Sequence, residues 1–147
     1  MKAVLRQACE ADVPILHQIR CSVRENRLSA ASGVTEASYL PHVRSGGTWV
    51  AEADGRIVGF GTVDLSHRTV WALFVAPQAE GSGVGRALHD RMLAWARETG
   101  VSELSLSTSH GTRAERFYLA AGWRPCGSGP GEQVILSMRL NKESADA

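Results

Sequence analysis

The chain has 147 residues, 21% of them charged, and a formal net charge of +1. That length supports one domain with a real core. The near-balanced charge excludes the strong field of a nucleic-acid or membrane-surface binder, and no apolar run reaches membrane-spanning length.

Lys2 to Gln7 reads as a first strand. Asp12-Val13-Pro14 reads as a helix start, with proline in the first turn, and Ile15, Ile19 and Val23 recur at four-residue spacing as one buried face. The polar stretch Arg24 to Gly33 is expected to be a loop. A second helix is expected from near Thr35, carrying Tyr39, Leu40 and Val43, with Ser45-Gly46-Gly47 as its stop. Thr48 to Ala53 and Arg56 to Leu65 form a hairpin around Asp54-Gly55, a dipeptide suited to a two-residue turn. Ser66-His67-Arg68 turns the chain into a strand from Thr69 to Val75. A long helix follows, with Val84, Leu88, Met92 and Trp95 on one face and Gly100 as its stop. Glu103 to Thr108 alternates leucines with serines, as a half-buried strand does. Thr112-Arg113-Ala114-Glu115 is a capping box, and its helix runs through Phe117 and Tyr118 to Gly122. Trp123 to Cys126 and Gln133 to Leu140 are the last strands. Residues 1–140 thus make one α/β domain, and 141–147 a polar tail. Cys9, Cys21 and Cys126 are odd in number and lack metal-ligand spacing. With no signal-peptide stretch at the start, reduced thiols and a cytoplasmic location are expected.

Between the strand ending at Val75 and the long helix lies Glu80-Gly81-Ser82-Gly83-Val84-Gly85-Arg86. A strand feeding a glycine-rich turn at a helix N-terminus suits an anion, because the first-turn N–H groups are free and the helix dipole favours negative charge. It is not a P-loop, since Arg86-Ala87 replaces the Lys-Ser/Thr pair. It is not a dinucleotide fingerprint, since Leu88 stands where the third glycine belongs.

The segment resembles the Arg/Gln-x-x-Gly-x-Gly/Ala motif of the GNAT family of N-acetyltransferases. Val75-Ala76-Pro77 stands where that family has Val-x-Pro, and Glu80 occupies the Arg/Gln slot. A second segment, Arg113 to Trp123, is similar to the family's Asn-x-x-Ala-x-x-x-Tyr-x-x-x-Gly-Phe. Ala114, Tyr118 and Gly122 match, Trp123 replaces the Phe, and Gly111 holds the Asn position. The element order β-α-α-β-β-β-α-β-α-β-β is also that of the GNAT fold, a mixed sheet of about seven strands flanked by about four helices.

The resemblance implies acetyl transfer from acetyl-CoA, the co-substrate, to a primary amine by direct transfer in a ternary complex. It implies that the loop from Gly81 through Ser82, Gly83, Val84 and Gly85 to Arg86 holds the pyrophosphate. Backbone groups of Phe74 and Val75 would hold the pantetheine arm and thioester. Tyr118 would be the acid for the leaving thiolate, since a phenol with pKa near ~10 is protonated at neutral pH. Glu25, in the loop between the first two helices, is a candidate catalytic base, as are Asp64, His110 or a water relay. Trp71 and Trp49 are candidates for an apolar acceptor wall. The expected partner is a small-molecule amine, with no nucleic acid and no membrane, and a homodimer is common in that family. A peptide or protein acceptor, and a non-catalytic acyl-CoA-binding domain, are the alternatives.

Overall fold

The described residues, 2–22 and 33–140 of a computed structural model, fold in the order β1 (Val4–Gln7), α1 (Val13–Ser22), α2 (Leu40–Ser45), β2 (Thr48–Ala53), β3 (Arg56–Asp64), β4 (Thr69–Val75), α3 (Val84–Glu98), β5 (Glu103–Ser109), α4 (Arg113–Ala120), β6 (Arg124–Ser128) and β7 (Gln133–Arg139). Short 3-10 turns lead into α1 and α2. Asp54 and Gly55 have φ of 54° and 76°, the positive pair that a two-residue hairpin turn requires. The seven strands form one sheet in the order β1-β2-β3-β4-β5-β7-β6. Its pairs are antiparallel except β4 with β5. This is the α/β architecture expected from the element order.

Alternation along the strands separates two apolar cores. Ala51, Leu104, Leu106 and Leu136 pack with Leu88, Met92 and Ala96 of α3 and Tyr118 of α4. Val50, Phe60 and Ala72 pack with Leu16 and Ile19 of α1 and with Tyr39 and Val43 around α2. The sheet therefore lies between α3/α4 on one face and α1/α2 on the other. Gly61 lets α3 approach closely, since a Cβ there would overlap the Met92 sulfur.

Two helix faces differ from expectation. In α1 the buried residues are Val13, Leu16 and Ile19, while Ile15 is 43% exposed. The α-helix begins at Val13, directly after a 3-10 turn, and its buried stripe takes a three-residue stride from there. Val23 lies outside the described residues. In α3 the apolar stripe of Val84, Leu88 and Met92 continues to Ala96, four residues beyond Met92, and Trp95 is only half-buried against the turn at Gly46 and Gly47. Trp123 is not in β6 but is a buried corner residue just before it.

The sheet is nearly cut in two. Along β3 and β4, Thr62 faces Ala72 and the next residue, Val63, faces Val70, which leaves Trp71 as an extra residue in a β-bulge. Beyond it, β4 and β5 are registered only at Thr69 and Ser105. The strands part from that point toward their C-terminal ends.

Candidate active site

The split between β4 and β5 opens into a cleft of about 770 Å³. Three segments wall it: the end of β4 (Leu73, Phe74, Val75), the glycine loop with the start of α3, and α4. Chain segments that are far apart in sequence meet here because β4, the loop and α3 are consecutive, while α4 crosses back from the far side of the split.

The glycine loop is shaped for close approach. Gly81 and Gly83 have φ of 78° and 90°, and a Cβ at either would meet nothing within 4 Å. Their hydrogen-only side leaves open space next to the N–H groups that begin α3. Gly81, Gly83, Gly85 and Arg86 line the cleft. Ser82 and Val84 do not. Ser82 turns inward, with its N–H (3.3 Å) and its hydroxyl both donating to the Ala79 carbonyl. Val84 is a core residue, 3% exposed.

The main chain of β4 offers free groups on one side only. The Ala76 N–H donates to the Val58 carbonyl at 2.8 Å. In an antiparallel ladder such bonded positions alternate, so Phe74 also turns its main chain to β3. Leu73 and Val75, of the other parity, turn theirs toward the split. Of the expected pair, Val75 turns its main-chain groups toward the split and Phe74 turns its own to β3; Leu73 is the other β4 residue in the cleft wall with main-chain groups on the split side. Phe74 lines the cleft, and its side chain packs against the α1/α2 core. Parity follows from the strand register, which the bulge at Trp71 shifts, so the sequence alone held no signal for Leu73.

Tyr118 lies on the cleft wall, 7% exposed, in a cluster of rings with Phe117, Trp123 and His89. Burial pushes its phenol well above the usual tyrosine range. Thr112 caps α4 by accepting the Glu115 N–H at 3.2 Å. The Glu115 carboxylate reaches back to the Gly111 N–H at 2.7 Å, one residue before the expected partner of a capping box.

Charge at the cleft mouth is already engaged. Arg113 Nη1 donates to Glu80 Oε1 at 2.8 Å, which joins the glycine loop to the start of α4. Arg86 Nε donates to Asp90 Oδ1 at 3.0 Å along α3. Of the candidate bases, Glu25 lies outside the described residues. Asp64 pairs with His67 at 2.8 Å, and His110 lies 3.3 Å from Glu115; neither lines the cleft. Trp49 and Trp71 fall on opposite faces of the sheet. Trp49 belongs to the α3 core, whereas Trp71 packs edge-on to Tyr39 and lies 4.6 Å from His42. Among the described residues there is no group of side chains that could hold a metal ion, and no helix is long and apolar enough to cross a membrane.

These features accord with the known proteins that the chain resembles. The Acetyltransferase (GNAT) family model matches residues 15–123. Aminoglycoside N(6')-acetyltransferase type 1 of Stenotrophomonas maltophilia is 31% identical over 144 residues, with 89% of each chain covered. Serotonin N-acetyltransferase 2, chloroplastic, of Oryza sativa subsp. japonica is 30% identical, over 82% of this chain and 60% of that protein. Among solved structures, Ard1 from Thermoplasma volcanium superposes with a TM-score of 0.81 at 19% identity, over 97% of this chain and 100% of that one. The chain belongs to the GNAT family of acetyltransferases, enzymes whose co-substrate is acetyl-CoA.

Proposed function

We infer that the cleft holds acetyl-CoA and that the protein moves its acetyl group directly to the primary amine of a small molecule. The observation that carries this reading is the meeting of three features at one split: a loop of bare amides, a half-unpaired strand and a buried tyrosine. A Cβ at Gly81 or Gly83 would occupy the space beside the helix N-terminus, so that space suits a pyrophosphate lying against main-chain N–H groups. The main-chain groups of Leu73 and Val75 suit the amides of the pantetheine arm. Bound acetyl-CoA supplies the activated acyl thioester. The relative that acts on an aminoglycoside supports a small-molecule acceptor over a peptide.

Tyr118 serves as a fixed hydrogen-bond donor toward the sulfur. Its phenol, raised by burial, stays protonated at every pH near neutrality. The same shift makes full proton release harder, so its main contribution is stabilising negative charge as it develops on the leaving group. Replacing Tyr118 by Phe tests this. Acetyl-CoA affinity, measured by calorimetry, should be retained. The turnover number for CoA thiol release with a panel of small amines should fall on the order of 10²-fold. Thermal stability should hold or rise, since the hydroxyl has no partner among the described residues. Unchanged turnover in an assay limited by chemistry removes Tyr118 from the mechanism.

A further inference from the structure

On the α1/α2 face of the same split, beside the Tyr39 hydroxyl, sits a cation with no carboxylate partner among the described residues. Arg20, in the last turn of α1, holds its guanidinium carbon 4.7 Å from the centre of the Trp71 ring and 5.1 Å from that of Phe74. Its Nε and Nη1 atoms are buried and have no hydrogen-bond partner. No described carboxylate pairs with it. The rings attract the face of the guanidinium, but they offer nothing to its N–H groups, which lie in its plane. Buried N–H donors are rarely left unmade, and an unpaired buried charge is costlier still.

The place of this cation ties it to the cleft. Phe74 lines the cleft, and Trp71 is the bulged residue where β4 leaves β5. Across the split, Ser105 is registered with Thr69, so the two share a face. Alternation places Ser107 and Ser109 on that face, while Leu104 and Leu106 point into the α3/α4 core. Ser107 donates to the Gln133 carbonyl oxygen at 2.9 Å, and the Gln133 amide donates to Ser109 at 3.1 Å. The α1/α2 side of the split thus has a cation on aromatic rings along one bank and a row of hydroxyl and amide groups along the other. Arg20 keeps part of its surface exposed, which leaves a way in. His42, tilted against Trp71, is held below the usual histidine range by burial and adds no second charge near neutrality.

We propose that Arg20 is a specificity-determining residue that receives a carboxylate of the acceptor, so that the amine acetylated belongs to a molecule carrying an anionic carboxylate, as a free amino acid does. The inference rests on the small-molecule transferase reading above and narrows its substrate class. A guanidinium presents N–H groups in a fixed plane that matches a carboxylate, and charge-assisted bonds of this kind are the strong ones. A polycationic amine would instead meet a like charge.

The test compares free amino acids with their own carboxamides as acceptors, using the full chain and acetyl-CoA and following CoA thiol release. Each pair shares its amine and side chain and differs in the carboxylate charge. Blocking the carboxylate also makes the amine less basic and more available, so any preference for the free acid runs against that bias. The expected result is a kcat/KM for the accepted amino acid ten- to hundredfold above that for its carboxamide, roughly the worth of charge-assisted bonding. Arg20→Met should bring that ratio near one through a raised KM for the amino acid, and Arg20→Lys should keep part of it. A wild-type ratio near one, or a ratio that Arg20→Met leaves intact, overturns the proposal. If neither series releases thiol although acetyl-CoA binds, the small-molecule transfer reading fails instead. Calorimetry of the amino acids and carboxamides against wild type and Arg20→Met, with CoA present, then judges Arg20 separately: equal binding of both series overturns it, and an Arg20-dependent preference for the acids supports it.

Discussion

His89 is 2% exposed, and both its ring nitrogens are in use. Nε2 accepts the Trp123 indole N–H at 2.9 Å, so the proton sits on Nδ1, which donates to Asp90 at 2.8 Å. A second proton would set N–H against N–H at Trp123. Burial is the main reason that this imidazole is held below its ordinary value of 6.5, and the nearby Asp90 opposes the shift only in part. The sign for stability follows. Below pH 6.5 the unfolded chain takes up the proton first, so folding loses free energy as pH falls toward the lower folded value. Above 6.5 the contribution is complete. Thermal melts should therefore show stability declining as pH falls below 6.5. His89→Gln, which can accept from Trp123 and donate to Asp90, should flatten that decline. Some slope should remain from His42, which burial shifts the same way. An identical slope in the variant would remove His89 as a cause. The carboxylates of Asp12, Asp64 and Asp90 are all lowered from 3.8, so they act in a more acidic range.

The glycine loop and the first turn of α3 act as one element, and Gly83→Val probes it. Its φ of 90° suits glycine alone, so a β-branched residue there carries strain on the order of 1–2 kcal/mol and also fills the space beside the amides. The expected outcome is near-native circular dichroism with acetyl-CoA affinity lowered tenfold or more, about 1.4 kcal/mol. Ser82→Ala is the contrast. Its hydroxyl braces the loop against Ala79, so the loss should fall on stability, roughly 1 kcal/mol, and leave affinity within a few-fold. Equal losses of affinity in both variants would mean that loop shape, and not open amides, controls binding. At this scale the sequence is most readable where information is local. The Asp54-Gly55 turn, the cap at Thr112 and the strand-loop-helix at Gly81 to Arg86 each depend on a few neighbouring residues. The face of α1 is set by its packing on the sheet, where Leu16 and Ile19 meet Val50, Phe60 and Ala72 and Ile15 stays outside, and four-residue spacing alone does not choose between Ile15 and Leu16. The parity of Leu73, Phe74 and Val75 depends on the register with β3, and one extra residue at Trp71 resets it. The cation at Arg20 gives no local sign, because its aromatic neighbours lie some fifty residues along the chain.

At the scale of the molecule, two antiparallel half-sheets, β1 to β4 and β5-β7-β6, share a single registered pair. Glu80 and Arg113, 33 residues apart, span the split from opposite halves. Their side chains are 36% and 60% exposed, so the pair adds only about 0–1 kcal/mol to stability. Its larger effect is on charge at the mouth, where a carboxylate stands beside the proposed pyrophosphate site. Glu80→Gln should tighten acetyl-CoA binding several-fold at low salt, with the gain shrinking as ionic strength rises. Calorimetry at two salt concentrations checks this, and weaker binding at low salt would mean that Glu80 itself serves the ligand. The parted strands have one more consequence. A sheet edge with unsatisfied main-chain groups is ordinarily a liability, because it recruits whatever extended chain comes near. Here such an edge lies inside the molecule, between helices on both faces, where another protein's strand has little access. Stickiness that would cause aggregation on the outside becomes receptivity on the inside: the gap favours a slender, extended guest whose own amides can complete the ladder.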